Sequence, residues 1–162
     1  MSRIFLSLGS NLGDRMEYLR AAVDALGRGP SMDLRGVSKV YETMPIEVEG
    51  EQPDYLNCVV ELECGVSAVE LLRYCQGVEA ALGRERKGQK APRTVDIDLL
   101  LFEEKVIEGP DFVVPHRGIG RAFNLRGLAD LDADLYIPGR GAVAGLLASA
   151  DGKGIREFGE GV

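Results

Sequence analysis

The segment that most constrains the fold is 92–102, where two aspartates precede a run of apolar residues. Its Val, Ile, Leu and Phe residues occupy a window too short for a typical helix, so the segment is predicted to be a strand. Side chains of a strand alternate between its faces, so Asp96 and Asp98 point to one face with Cα atoms about 6.5–7 Å apart. Aspartate is depleted in strands, so the pair indicates either a solvated face or carboxylates that converge on a hard cation.

A cluster of cations lies directly before the aspartate pair. The segment 84–93 contains Arg84, Arg86, Lys87, Lys90 and Arg93, in a chain whose formal net charge is −7. Cations neutralise phosphate oxygens, and paired carboxylates hold Mg²⁺, which bridges phosphates. The combination predicts a metal–polyphosphate site, and the alternative is a solvated basic loop.

The pattern along the chain predicts the element order β-α-β-β-α-β. Strands are expected at 4–8, 34–43 and 55–64 and after residue 95, and residues 9–13 are expected to form a turn. Two helices are expected to begin at the capping boxes Asp14/Glu17 and Ser67/Glu70 and to end at Gly27 and Gly83. This order predicts an α+β fold with a ferredoxin-like βαββαβ core, an antiparallel sheet with helices packed on one face.

The remainder of the chain is predicted to extend this core within a single domain, 1–162. Short strands are expected at 106–107 and 112–114, and helices at 121–131 and 142–150. The core is expected to span about 3–138, followed by a glycine-rich C-terminal extension, 139–162. The last ten residues are expected to be loosely held.

Composition excludes several classes of function. The acidic balance argues against general nucleic-acid or membrane-surface binding, and no stretch approaches 18 apolar residues. The chain has no Walker A sequence, no Gly-x-Gly-x-x-Gly motif and one histidine, so phosphate chemistry would use other elements. Cys58, Cys64 and Cys75 form no Cys-x-x-Cys pair and are predicted to be reduced core residues of a cytoplasmic protein.

Five motifs, taken in order, resemble those of the 6-hydroxymethyl-7,8-dihydropterin pyrophosphokinase family of folate biosynthesis. The resemblance runs from about residue 4 to residue 138, and its most specific motif is the one that contains the aspartate pair. The motifs are Gly9-Ser10-Asn11-Leu12-Gly13, Gln52-Pro53-Asp54-Tyr55-Leu56-Asn57, Gly83-Arg84, Pro92-Arg93-Thr94-Val95-Asp96-Ile97-Asp98 and Val114-Pro115-His116. The family has the ferredoxin-like core, which agrees with the fold predicted from the residue pattern.

The resemblance implies transfer of the β,γ-diphosphate of ATP to the pterin hydroxymethyl group, which leaves AMP. Asp96 and Asp98 would hold two Mg²⁺ ions, and Arg84 and Arg93 would bind phosphate and stabilise charge in the transition state. The implied nucleotide ligands are Gln76, Glu79, Arg84, Arg86, Lys87, Arg93, His116 and Arg121. The implied pterin ligands are Thr43, Ile46, Tyr55, Asn57 and Phe123.

The implied chemistry needs no protein nucleophile, because phosphoryl transfer asks a protein mainly for positioning and charge stabilisation. Phe123 offers a stacking surface to a flat ring, and Asn57 offers both a donor and an acceptor to a pterin edge. The implied partners are ATP and the pterin. From the residues, no nucleic-acid or membrane partner is expected, and the protein is expected to be a cytoplasmic monomer.

Two other classes of function remain open from the residues alone. One is another Mg²⁺-dependent nucleotidyl or phosphoryl transferase with an Asp-x-Asp pair. In Gly-Ser nucleotidyltransferases that pair follows the Gly-Ser closely, whereas Asp96 lies far from Ser10 in this chain. The other is a non-catalytic RNA-binding module on a ferredoxin-like core, which needs exposed aromatic residues on its central strands. Phe5 is the only candidate on the first strand.

Overall fold

The computed structural model describes residues 1–44, 53–83 and 94–162. The elements in chain order are β1 (Ser2–Ser10), α1 (Arg15–Gly27), β2 (Met32–Val37), β3 (Tyr41–Thr43), β4 (Tyr55–Cys64), α2 (Ala68–Ala81), β5 (Asp96–Phe102), β6 (Ile107–Glu108), β7 (Val113–Val114), α3 (Ala122–Leu131), β8 (Tyr136–Ile137), β9 (Gly141–Ala142), α4 (Val143–Ser149) and β10 (Ile155–Glu157).

The main sheet has the strand order β10-β3-β4-β1-β5, and β2 also pairs with β4. Every pairing in it is antiparallel. The long strand β4 is central, because it pairs with β1 along one edge and with β2 and β3 along the other. The predicted α+β fold with a ferredoxin-like core and an antiparallel sheet is therefore confirmed.

At both predicted capping boxes, the N-cap side chain forms the expected hydrogen bond to the third residue of the helix. The Asp14 side chain accepts a hydrogen bond from Glu17 N at the start of α1, and Ser67 does the same for Glu70 N at the start of α2. Each bond satisfies one of the backbone N–H groups that a helix N-terminus leaves without an intrahelical partner.

The strand predicted at 34–43 is divided into β2 and β3, which was not foreseen. At the break, Ser38 N donates to Val59 O, and the Ser38 hydroxyl accepts from Val59 N, both at 2.8 Å. A side-chain oxygen therefore takes the place of a backbone carbonyl in the ladder. The two pieces stay on the same edge of β4, so the topology is unchanged.

Helices cover both faces of the sheet, rather than the single face predicted from the sequence. Helices α1 and α2 pack on one face through buried residues such as Leu19 and Leu71. Helix α3 packs on the other through Leu125 and Leu128. It approaches β4 closely at Gly127, where a Cβ atom would lie 2.3 Å from Val59 Cγ2. Among the described helices, none has the length and apolarity needed to cross a bilayer.

The three cysteines are buried and form no disulfide, as predicted. Cys58, Cys64 and Cys75 belong to the core beneath α1 and α2. Burial raises the pKa of the Cys58 thiol, so the reactive thiolate is suppressed at neutral pH. These residues therefore act as small core side chains.

The C-terminal segment is part of the sheet, so the prediction that the last ten residues are loosely held is wrong. Strand β10 pairs with β3, with Ile155 opposite Thr43. Beyond the strand, Phe158 N donates to Val40 O at 2.9 Å, and the Phe158 ring packs against the core. The glycines of this segment surround a short β-forming run, which pairs with the edge that β3 would otherwise expose.

Ion pairs centred on Glu42 hold β10 against the rest of the molecule. The Glu42 carboxylate accepts from Arg15 at 2.7 Å and from Arg156 of β10. Arg15 also donates to Asp54 O at 2.9 Å. The hydrogen bond from Arg15 lowers the pKa of Glu42 below its ordinary value, burial partly opposes this effect, and Arg156 adds to it. The cluster joins α1, β3, the start of β4 and β10.

Candidate active site

A cavity of about 580 Å³ opens on the α3 side of the sheet, beside the N-terminus of that helix. Its walls come from β1, β3, β4, β5, the loop before α3 and the turn before β10. Of the predicted site residues, those that line it are Thr43, Tyr55, Asn57, Asp96, Asp98, His116, Arg121 and Phe123. Residues that are distant in the sequence are thus brought together.

The aspartate pair lies at the start of β5 and faces the cavity from one edge of the sheet. Asp96 and Asp98 are partly exposed, whereas Ile97 between them is fully buried, as the alternation of a strand requires. Gly9 and Ser7 of β1 lie opposite them in the register. Because these neighbours are small, β1 does not cover the carboxylates.

His116 lies next to Asp98, and its ring orientation is fixed by the backbone. His116 Nδ1 accepts a hydrogen bond from Gly118 N at 2.9 Å, and Nε2 is 3.8 Å from Asp98 Oδ1. Since Nδ1 acts as an acceptor, the neutral ring carries its proton on Nε2. His116 N donates to Leu100 O at 3.0 Å, which ties the loop to β5. The site therefore has an N–H donor beside a carboxylate.

Asn57 and Thr43 form a hydrogen-bonded pair in the floor of the cavity. Asn57 Nδ2 donates to Thr43 Oγ1 at 2.8 Å, and Asn57 is only 5% exposed. Gly9 lies beside this pair in β1 rather than in the predicted turn, because β1 extends to Ser10. A Cβ atom on Gly9 would lie 3.0 Å from Asn57 Oδ1 and 3.4 Å from Tyr55 Cδ1. The missing side chain of Gly9 therefore keeps this part of the floor open.

The N-terminus of α3 forms the wall opposite the sheet. Arg121 is the N-cap residue, and its guanidinium carbon lies 5.4 Å from the centroid of the Phe123 ring, within cation–π range. Asn124 Nδ2 donates to Gly118 O at 2.9 Å, which joins the helix to the loop that carries His116. The wall thus presents a cation and an aromatic ring to the cavity.

Two predicted nucleotide ligands lie on α2 and do not line the cavity. Gln76 is exposed, and Glu79 is 3% exposed and accepts a hydrogen bond from Ile97 N at 2.8 Å. Glu79 therefore supports β5 from the face opposite the cavity, and the nucleotide roles of both residues stay predictions. Other predicted ligands lie outside the described residues, namely Ile46, Arg84, Arg86, Lys87 and Arg93.

Sequence reasoning missed the part of the wall contributed by the C-terminal segment. Asp151, Lys153, Gly154 and Ile155 line the cavity together with Met44. These residues form no recognisable motif, and the one available signal was the β-forming run that begins at Ile155. The cavity lining thus contains a third carboxylate, from Asp151, and a second described cation, from Lys153.

Comparison with known proteins identifies relatives over most of the chain. The family model described as 7,8-dihydro-6-hydroxymethylpterin-pyrophosphokinase matches residues 5–133. The 2-amino-4-hydroxy-6-hydroxymethyldihydropteridine pyrophosphokinase of Pseudomonas aeruginosa is 38% identical over 159 residues, which cover 98% of this chain and 98% of that protein. The Bacillus subtilis protein of the same name is 41% identical over 128 residues, or 78% of this chain and 76% of that one.

Other similar proteins are much longer. The folic acid synthesis protein fol1 of Schizosaccharomyces pombe is 38% identical over 83% of this chain, which spans 18% of that protein. The HPPK-DHPS solved in complex with substrates has a TM-score of 0.70 at 12% identity, and the match covers 92% of this chain and 45% of that one. The structure of wild-type Plasmodium falciparum HPPK-DHPS with pterin and p-hydroxybenzoate has a TM-score of 0.70 at 14% identity. That match covers 91% of this chain and 41% of the other chain. At these identities the structural likeness establishes the fold.

Proposed function

The chain belongs to the 7,8-dihydro-6-hydroxymethylpterin-pyrophosphokinase family, and on this basis we propose the reaction that it catalyses. It transfers the β,γ-diphosphate of ATP to the hydroxymethyl group of 6-hydroxymethyl-7,8-dihydropterin, giving AMP and the pterin diphosphate for folate biosynthesis. One observation supports the assignment most strongly. Two carboxylates of β5 share a cavity with an amide, a hydroxyl and two aromatic rings contributed by β3, β4 and α3.

Asp96 and Asp98 would hold the Mg²⁺ ions, of which we expect two. Their hard oxygens lie on one face of β5 and line the cavity, which fits a cation that often takes one or two carboxylates plus substrate phosphates. The described residues include no cluster of three or more His, Cys, Asp or Glu side chains, and such a shared site does not need one. When bound, Mg²⁺ would neutralise charge on the phosphate oxygens.

The described residues near the carboxylates would orient the polyphosphate. His116 Nε2–H, beside Asp98, is a donor for a phosphate oxygen, and Arg121 supplies a positive charge at the N-terminus of α3. The pterin hydroxyl attacks the β-phosphorus and AMP departs, so the protein provides position and charge rather than a nucleophile. Arg84 and Arg93 remain predicted contributors to this charge.

The other end of the cavity suits a flat heterocycle. Asn57 Nδ2 is committed to Thr43, so Asn57 Oδ1 is the atom of that amide suited to accept from a pterin N–H group. Tyr55 comes from the sheet and Phe123 from α3, so aromatic surfaces are available from both layers. We therefore assign the pterin to this end, with its hydroxymethyl group toward Asp96 and Asp98.

The alternative of an RNA-binding module is disfavoured by the position of Phe5. This residue is 2% exposed and belongs to the cluster beneath α3, so it offers no stacking surface to a base. The family match likewise favours the pyrophosphokinase over another transferase with an Asp-x-Asp pair. A monomeric state, a cytoplasmic location and the lack of a nucleic-acid partner remain predictions.

The decisive experiment is incubation with ATP, Mg²⁺ and the reduced pterin, followed by separation of the nucleotides. We expect AMP to form in step with the pterin diphosphate, because the diphosphate is transferred as one unit. Parallel reactions without pterin, and with EDTA added, should give no AMP. ADP as the only nucleotide product would contradict the proposal and would indicate a simple kinase.

A further inference from the structure

The turn that leads into β10 closes one end of the cavity, and it lies outside the part of the chain that the family model matches. Asp151, Lys153, Gly154 and Ile155 line the cavity, but they lie beyond residues 5–133, which the family model matches. Their contribution to the site therefore has to be inferred from this chain's own structure.

The backbone of this turn is held by its own hydrogen bonds and by β3. Asp151 Oδ1 accepts from Lys153 N at 2.9 Å, and Ile155 N donates to Gly152 O at 3.3 Å. Gly154, with φ of 76°, provides the left-handed conformation that the turn requires. Its carbonyl accepts from Met44 N at 3.4 Å. The backbone that carries Lys153 is thus a defined part of the wall.

The turn and the aspartate pair lie at opposite ends of the cavity. Strands β10 and β5 are the two ends of the sheet order, with β3, β4 and β1 between them. Four strand spacings correspond to about 19 Å. Thr43, Tyr55 and Asn57 lie on the intervening β3 and β4. A ligand held by those three residues therefore has the carboxylates on one side and the turn on the other.

The chemistry of the pterin then defines which of its edges meets the turn. The hydroxymethyl group is on the pyrazine ring, and it must face the phosphates near Asp96 and Asp98. The 2-amino and 4-oxo groups are on the pyrimidine ring at the other end of the bicycle, so they point toward the turn. The 4-oxo oxygen accepts hydrogen bonds, and an ammonium group can donate one to it.

We propose that Lys153 donates a hydrogen bond to the 4-oxo group of the pterin and so determines selectivity for 4-oxopteridines. This inference depends on the proposed function. Lys153 lies in the cavity lining and forms no salt bridge with the residues that the structure describes, so its ammonium group is available to a ligand. Arg156, three residues later, is instead committed to Glu42.

The test compares Lys153→Gln and Lys153→Arg with the wild-type protein, and Lys105→Gln serves as the matched control. Lys105 is also an exposed lysine, but it lies over the Phe102 ring and away from this cavity. The measurements are kcat, the KM for each substrate, and the dissociation constants of oxidised 6-hydroxymethylpterin and of its 2,4-diamino analogue, each from the ligand's own fluorescence. Thermal melts verify that each variant is folded.

Lys153→Gln should raise the pterin KM and dissociation constant about tenfold, as expected for one hydrogen bond from a charged donor. The KM for ATP and kcat should change less than about twofold, because Lys153 is remote from Asp96 and Asp98. The melting temperature should change by less than about 2 °C, because Lys153 is exposed. Lys153→Arg should restore most of the affinity. The wild-type preference for the 4-oxo pterin over its 2,4-diamino analogue should largely disappear in Lys153→Gln.

Two results would overturn the inference while leaving the proposed function intact. One is an active Lys153→Gln variant with wild-type pterin affinity and wild-type preference for the 4-oxo group. The other is a rise in the KM for ATP in place of the KM for the pterin, which would assign Lys153 to the nucleotide. Failure of the wild-type protein to form AMP would instead contradict the proposed function itself.

Discussion

Asp96 and Asp98 are partly exposed on β5, and fully buried Ile97 separates them. Replacement of either aspartate by asparagine keeps the volume but removes a formal charge and a hard oxygen ligand. At an effective dielectric near 20, one unit-charge contact at 4 Å is worth about 4 kcal/mol before desolvation. Loss of even half of this costs more than tenfold in rate, so each variant should lose Mg²⁺-dependent turnover by at least that factor.

Thermal melts should accompany these turnover measurements. The melting temperature should change little, because both side chains are partly exposed. Asp111→Asn, which alters an exposed carboxylate outside the cavity lining, is the control and should behave as wild type. Wild-type turnover in Asp96→Asn or Asp98→Asn would make the pair a solvated surface feature, and a large loss of melting temperature would make it structural.

Gly9→Ala tests whether the floor of the cavity needs a residue without a side chain. The added methyl would lie 3.0 Å from Asn57 Oδ1 and displace the Asn57–Thr43 pair. We expect the pterin KM to rise about tenfold and stability to fall by about 1–3 kcal/mol, as for overpacking. Steady-state kinetics and chemical denaturation measure the two effects.

Gly77→Ala provides the matched control for this substitution. Gly77 lies in α2, and nothing would come within 4 Å of its Cβ atom. Alanine there should leave the kinetics unchanged and stabilise the helix by about 0.5–1 kcal/mol. If Gly9→Ala matched wild type in pterin KM, the role assigned to Gly9 would be wrong.

Single residues differ in how much their sequence context reveals. Asp96 and Asp98 were recognisable because a polar pair on one face of an apolar strand breaks the ordinary pattern. Gly9 was assigned to a turn, because glycine is the default turn residue and its close approach to Asn57 depends on a neighbouring strand. Lys153 carried no signal, since an isolated lysine among glycines is typical of a solvated segment.

At the scale of elements, the strands and helices of the core follow from local patterns. The alternation of 55–64 predicted β4, and the two capping boxes predicted the starts of α1 and α2. The break at Ser38 was not predictable, because it depends on Val59 of another strand. Strand β10 was missed for a similar reason, as its three residues become a strand only when β3 offers its edge.

Glu42→Gln tests the attachment of β10 through the ion pairs with Arg15 and Arg156. Its side chain is 11% exposed. Loss of its charge at neutral pH should therefore lower the free energy of unfolding by about 1–3 kcal/mol. Glu160→Gln is the control, because Glu160 pairs with Arg20 at 65% exposure and its loss should cost less than about 1 kcal/mol.

The difference in stability between the wild-type protein and Glu42→Gln should depend on pH, in a direction that the pKa of Glu42 determines. The pKa of Glu42 is lower in the folded protein, so the unfolded chain binds its proton more tightly. The stabilisation is complete above the unfolded pKa, about 4.3 for glutamate, and is lost as the pH falls through the lower folded value. Melts of wild type and Glu42→Gln should therefore converge in acid, and a stability difference that persisted unchanged at low pH would contradict this account.

At the scale of the whole molecule, the fold and the enzyme class were predictable, but the layering was not. The ordered motifs predicted a pterin pyrophosphokinase, and the family match confirms that prediction. Amphipathic patterns show that α3 has an apolar face, but they do not say which side of the sheet receives it. That choice places Arg121 and Phe123 over the same cavity as the carboxylates, so it decides the geometry of the site.

The cavity is lined by residues from both ends of the sequence, and this affects when the site can form during translation. Ser7 and Ile155 both line it, so no nascent chain contains the whole site until the ribosome has released the turn before β10. The carboxylates of β5 emerge more than 50 residues earlier, in time to join the sheet through β1. The end of the site assigned to the polyphosphate can thus be assembled first during translation, and the end assigned to the heterocycle is completed last.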